Sequence, residues 1–263
     1  MTEETLLDAA HAAMEAAPED GAARLRFYER LADGELFLML AEESDGDALI
    51  PEIFDLSDGR FVLAFDREER LSAFSGGQVV PYASLSGRAL ARLLAAQGLG
   101  LGLNLEVAPS SILLPAEAVA WLVETLADTP TETEAQIEEV APPAGLPEAL
   151  LGALDTKLAA AAGLARAAHL VAVTYAGGGR GHLLAFTAAA PGAEPALAQA
   201  VAEALTFSGI EAGALDVAFF ADSDPMAARL ERAGLRFDLP EPARAEVLRA
   251  APGSDPARPP ILR

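Results

Sequence analysis

The chain of 263 residues has no cysteine and three histidines, and Lys157 is its sole lysine. These counts remove much of the known side-chain chemistry before any motif is sought. Without a thiolate there is no disulfide, no iron–sulfur cluster and no thiol or persulfide mechanism. His11, His169 and His182 are too few for most histidine-based metal sites. A hairpin turning at Gly178-Gly179 sets His182 opposite Tyr175 and His169 six residues further along, roughly 20 Å away at ~3.3 Å per residue. No Gly-x-Ser-x-Gly elbow occurs, and the serines lack a convincing set of local partners. With 40 acidic residues, a carboxylate pair says little about acid–base work. No catalytic residue is assigned, and the reading leans away from an enzyme.

Three further patterns invite ligand chemistry. Gly177-Gly178-Gly179-Arg180-Gly181 is the densest glycine run. A phosphate loop needs a helix after the glycines, with a lysine and a Ser/Thr, whereas His182–Phe186 reads as a strand. The run is a hairpin turn. Glu42-Glu43-Ser44-Asp45-Gly46-Asp47 resembles part of a calcium loop, but counting from Glu43 puts Ala48 at position 6 and Phe54 at position 12. It reads as a solvated turn. Gly98, Gly100 and Gly102 have the wrong spacing for a dinucleotide fingerprint. Glycine within a strand usually permits a bulge or a close backbone approach. Beside them, Asn104, Ser110 and Ser111 can hydrogen-bond a small ligand, and with Asp66 and Arg88 they form the candidate ligand-binding set. No cofactor and no metal is expected.

Charge narrows the partners. The 18 basic and 40 acidic residues give −22. Residues 1–140 hold 27 acids and 8 bases (−19), and residues 141–263 hold 13 acids and 10 bases (−3). A surface of that sign repels nucleic acid phosphates and anionic lipid, so the expected partner is a protein and neither of those. No stretch approaches the ~18 uninterrupted apolar residues of a membrane span, and the acidic start Met1-Thr2-Glu3-Glu4 is unlike a signal peptide. A cytoplasmic protein is expected, with a homo-oligomer open.

Elements must position these residues. Helices are expected at 3–17 and 20–32, strands at Glu35–Leu40, Ile50–Leu56 and Arg60–Phe65, and a short helix 67–74 capped by Asp66. A strand at Val79–Ala83 precedes a helix capped by Ser86 and ended near Gly98. Strands at 99–105 and Ser110–Leu114 lead to a helix opened by Pro115. Residues 127–145, rich in Thr, Glu, Pro and Ala, read as a linker. Beyond it come a helix at 147–163, the hairpin His169–Tyr175/His182–Thr187, a helix at 193–208 and a strand at Leu215–Phe220. A helix capped by Asp224 and a strand at Leu235–Asp238 follow. The fold class is α/β (α+β), with two small domains, each a mainly antiparallel or mixed sheet flanked by helices. Their bounds are 1–126 and 146–240, with a short helix and Pro-rich tail at 241–263.

Several stretches resemble a known family. Phe27-Tyr28-Glu29-Arg30-Leu31, Phe61–Asp66, Arg67-Glu68-Glu69-Arg70-Leu71 and Leu99–Pro115 look like the SseB N-terminal domain, of the family named for enhanced serine sensitivity. That pattern is a three-strand meander, a short helix after a Phe-Asp strand end, and an Asn-Pro element before the last helix. This sequence departs there: Asn104 is followed by Leu105, and the proline comes at Pro109. Residues 147–240 resemble the SseB C-terminal domain. The resemblance implies a bacterial cytoplasmic α/β protein and supplies no catalytic residue. Sulfur transfer does not carry over, because it needs a thiolate. The leading expectation is a non-catalytic interaction or regulatory module linked to amino-acid metabolism. Its alternatives are a small-metabolite sensor or enzyme near Asn104 and Ser110-Ser111, and an assembly role through a sheet edge.

Overall fold

The computed structural model describes residues 4–43, 49–127, 130, 134–209 and 215–240. Helices α1 (Leu6–Ala16) and α2 (Gly21–Asp33) lead into β1 (Glu35–Met39), β2 (Ile53–Leu56) and β3 (Gly59–Phe65). There follow α3 (Glu68–Phe74), β4 (Tyr82–Ser86), α4 (Gly87–Ala95), β5 (Gly100–Leu103), β6 (Ile112–Leu114) and α5 (Ala116–Ala127). Their six strands form one mixed sheet in the order β4-β1-β3-β5-β6, with β2 also paired to β3. Alternation along the strands sends Leu36, Leu38, Val62, Ala64, Leu101 and Leu103 to one face, into a core shared with α1, α2, α4 and α5. Leu63 and Phe65 point to the other face, where the short α3, Val80 and the loop at Leu105 and Val107 cover them.

The second half contains β7 (Ile137–Ala141), α6 (Glu148–Ala160), β8 (Ala167–Tyr175), β9 (Arg180–Thr187), α7 (Glu194–Phe207), β10 (Asp216–Phe220), α8 (Pro225–Ala233) and β11 (Leu235–Asp238). The sheet runs β10-β9-β8-β11, with β7 also on β8. Leu170, Leu184 and Phe186 pack under α6 and α7, and Val171, Val173 and Leu183 under α8. The α/β class with two mixed sheets is therefore as the sequence indicates. Among the described residues no helix is long and apolar enough to cross a membrane.

Four local expectations are corrected. The expected linker contains β7. Its register on β8 shifts between Ile137 and Glu139, so Ile137 and Val140, three residues apart, both pack toward α8. That bulge breaks the two-residue alternation by which strands are recognised. Asp66 does not cap α3: Arg67 holds the cap position, with no side-chain cap bond. The hairpin register places His182 opposite Ala172 and His169 opposite Ala185. His169 and Ala172 are three apart on β8, so the two histidines face opposite sides of the sheet. The strand expected from Val79 begins at Tyr82. The turn at Ser44–Asp47 and the helix and tail at 241–263 lie outside the described residues.

Three glycines show why the packing needs them. A Cβ on Gly87 would lie 1.8 Å from the Leu31 carbonyl oxygen, where α4 crosses the end of α2. On β5, a Cβ on Gly100 or Gly102 would meet Phe61 or Leu63 within 2.6 Å, so these positions admit the large side chains of β3.

Candidate functional site

Asp66, Asn104 and Ser110 are brought together where β3 and β5 end side by side. The Asn104 N–H donates to the Ala64 carbonyl (3.0 Å), which extends the parallel β3–β5 pairing by one residue. Asn104 then turns with φ 49°, a left-handed conformation that asparagine tolerates better than most residues. Its side chain accepts from the Asp66 N–H (3.1 Å) and donates to Ser110 Oγ (2.8 Å). Ser110 Oγ donates in turn to Asp8 Oδ1 (2.5 Å).

Three residues absent from the sequence-derived set, Asp8, Arg70 and Thr5, complete the cluster. Arg70 donates to Asp66 Oδ1 (2.7 Å) and Asp8 Oδ1 (3.0 Å), and its second terminal nitrogen contacts Asp8 Oδ2. Thr5 Oγ1 donates to Asp66 Oδ2 (2.8 Å), while Thr5 and Asp8 form a reciprocal capping box at the start of α1. The signals were present: Thr5-Leu6-Leu7-Asp8 has capping-box spacing, and Asp66 and Arg70 are four apart. Asp8, Arg70, Asn104 and Ser110 are each 0–2% exposed. Burial alone pushes the Asp8 carboxyl up, but hydrogen bonds from Arg70, Ser110 and Thr5 outweigh it and hold its pKa well below the ordinary carboxylate value. Chemically this is a fixed, ionised clamp. It ties the starts of α1 and α3 to the turn before β6, and its carboxylates, hydroxyls and amide bond to one another, with Arg70 Nε alone among its buried polar atoms left without a hydrogen bond among the described residues.

Ser111, one residue on, is exposed and accepts from the Glu106 N–H (3.3 Å). Arg88 lies elsewhere. At the start of α4 it donates to Glu203 of α7 (2.6 Å to each carboxylate oxygen) and to Asp33 at the end of α2 (2.5 Å). Lys157 of α6 joins the same group, 2.5 Å from Asp33, 3.1 Å from Glu203 and 3.5 Å from Glu29. Burial raises the Glu29 pKa despite Lys157. It also pushes Glu203 upward, but Arg88 and Lys157 outweigh it and the net shift is down. This group joins the two halves, because Phe207 of α7 also enters the first core and Gln199 donates to the Leu126 carbonyl (3.2 Å).

A cavity of about 640 Å³ opens between the β8–β9 hairpin and Gly145–Pro147, and another of about 240 Å³ lies beside Glu29 and Phe207. None of the five candidate residues lines either. Among the described residues, no group of three or more acidic, histidine or cysteine side chains is placed to hold a metal ion.

Among the described residues, what the first half leaves open is a strand edge. β4 ends the sheet order, paired on one side with β1. The bonds Gly87 N–H to Gly34 O (2.8 Å) and Leu40 N–H to Pro81 O (2.9 Å) fix which residues face β1. Hydrogen-bonded pairs alternate in an antiparallel ladder, so the backbone groups of Tyr82 and Ser84 and the Ser86 N–H point outward. Residues 71–87 contain no Asp, Glu, Lys or Arg, in a chain that is 22% charged.

Residues 7–121 match the family model described as SseB protein N-terminal domain. Over that stretch the chain is similar to the SseB N-terminal domain. The matched SseB domain contains the first sheet, almost all of the Asp8–Arg70 clamp and the whole β4 edge. No curated protein and no solved structure gives a significant match to the chain.

Proposed function

We propose that this chain is an SseB-like, non-catalytic protein-interaction module of two domains, the first within residues 1–126 and the second running from β7 to residue 240, working in the cytoplasm. The observation that carries this reading is the contrast within the SseB domain. Its most tightly clustered polar side chains are buried and bonded to one another, while β4 presents outward backbone groups and has no charged residue of its own. Native sheets usually guard such an edge with lysine, proline, a bulge or extreme shortness. β4 has five residues and is uncharged. An extended segment of a partner protein adds to such an edge through main-chain hydrogen bonds, and alternate side chains supply selectivity. The side chains on offer are Tyr82, Ser84 and Ser86, with Phe37 stacked edge-on against Tyr82 (5.7 Å between ring centroids).

The Asn104–Ser110 region is then architecture, since a ligand would have to displace the Asp66, Asp8 and Ser110 bonds that hold the turn. Affinity capture from source-cell lysate with the wild-type chain and with Ser84→Pro tests the proposal. Proteins recovered by the wild type and lost with the variant are expected. If the two recover the same proteins, or if neither binds any protein including the chain itself, the reading fails.

A further inference from the structure

We propose that the occupant of the β4 edge is β4 of a second copy of this chain, antiparallel about a two-fold axis at Ser84. The inference rests on the interaction reading and names its partner. An isologous contact requires one patch to complement itself. The outward groups of β4 do so. With Ser84 facing its own copy, the two residues exchange both backbone bonds. Each Ser86 N–H then reaches the Tyr82 carbonyl of the other chain, while the Ser86 carbonyl stays in the first turn of α4.

The side chains agree with this register. Met39 faces Tyr82 on one row, Phe37 faces Ser84 on the next, and Glu35 faces Ser86 on the third. Across the axis the rows become Met39–Tyr82–Ser86–Glu35 and Phe37–Ser84–Ser84–Phe37. No two charged strand residues of the same sign stand directly opposite each other, the arrangement that destabilises cross-strand pairs. The two carboxylates beside this edge are held by their own chain, Glu35 by the Ser84 hydroxyl and Glu68 by the Tyr82 hydroxyl.

The other sheet margins are poorer candidates. β2 has four residues and carries Asp55, β6 has three residues, β7 carries Glu138 and Glu139, and β11 carries Arg236 and Asp238. β10 begins with Asp216, which accepts from the Tyr175 hydroxyl (2.5 Å). Two chains of −22 repel at long range, so salt is expected to strengthen this dimer, the reverse of an ion-pair interface.

Sedimentation of the full chain over a concentration series, at low salt and at 0.15 M, tests the proposal. A dimer strengthened by salt is expected. Ser84→Lys places two cations face to face at the axis and is expected to weaken association about tenfold or more. Ser84→Glu does the same with two anions. Mixing the two variants is expected to restore the dimer, because only a Ser84-to-Ser84 register sets Lys against Glu. For the wild type alone, exchange of the Ser84 and Ser86 amides is expected to slow as protein concentration rises. A wild-type chain that stays monomeric at high concentration overturns self-pairing while leaving a β4-dependent partner to the capture experiment. A dimer indifferent to Ser84→Lys, or amide exchange independent of concentration, overturns it too.

Discussion

Asp8 meets Arg70 inside the SseB domain, and Lys157 meets Glu203 between the two halves; the clusters share chemistry but differ in geometry. In the first, a guanidinium holds two carboxylates, and neutral partners with short side chains fill the remaining positions: Thr5, Asn104 and Ser110. In the second, long side chains converge from four helices. Arg88 and Asp33 stay about 30% exposed, whereas Arg70 and Asp8 are 2% and 1% exposed; each cluster also leaves a buried atom without a hydrogen bond, Arg70 Nε in the first and Glu29 Oε1 in the second. A network closed to water specifies one arrangement, whereas one left partly open to water tolerates several. The SseB domain is therefore the more tightly closed unit, and its attachment to the second half is the more hydrated joint.

The largest expected effect comes from breaking the closed cluster. Arg70→Met leaves Asp8 and Asp66 as buried like charges, and removing one partner of a buried pair costs about 3–5 kcal/mol. At roughly 2–4 °C per kcal/mol for a chain of this size, melting is expected to fall by about 6–20 °C. The double variant Asp8→Leu/Arg70→Met is expected to recover part of that loss, since an apolar replacement removes the stranded charge as well. A shift within 2 °C for Arg70→Met would put the clamp on a level with an exposed ion pair.

Gly87→Ala comes next. The added methyl must displace the Leu31 carbonyl from 1.8 Å, and backbone has no rotamer by which to yield. Overpacking of this kind costs about 1–3 kcal/mol, read as a lower urea midpoint with an unchanged slope. Because α2 carries Asp33 and α4 carries Arg88, the joint between halves is expected to loosen with it.

At the joint itself, Lys157→Met is expected to cost about 1–3 kcal/mol, less than the clamp, because Arg88 remains on Glu203 and Asp33 is partly hydrated. Limited proteolysis checks where the loss falls. Cleavage between residues 127 and 147 is expected to accelerate, while amide protection inside the SseB domain stays unchanged. Equal loosening of both would erase the distinction between the two clusters.

Much of this fold was legible in the sequence because its elements obey simple periods. Ser86 and Asp224 cap α4 and α8 as their positions indicate, accepting from Ala89 and Met226 N–H. The pairing of Asp66 with Asn104 was legible only as proximity, since the bonds that link them depend on β3 and β5 being parallel neighbours, a contact between distant residues. Arg88 illustrates the opposite failure. Its place among turn residues rested on residue type, whereas α4 carries it to α7, more than a hundred positions away. β7 was hidden by its bulge, and Asp8 by lying among the apolar residues of α1.

The smallest effect distinguishes the clusters by the sign of their pH response. The folded-state pKa of Asp8 is depressed, so its contribution is complete above the unfolded carboxylate value near ~3.9 and is lost as pH falls through the folded value. Glu29 is the reverse. Its folded pKa is raised, so ionising it opposes folding as pH climbs past its unfolded value near ~4.3, and the cost is complete above the folded value. Glu29→Gln removes that cost while keeping a polar side chain beside Lys157. The variant is expected to be more stable than the wild type by up to about 1 kcal/mol at pH 7, with the advantage vanishing near pH 4. Urea midpoints across pH 4–8 read the difference. A gain that grows as pH falls would mean that Glu29 is held as a carboxylate, and the two clusters would then respond to pH with the same sign.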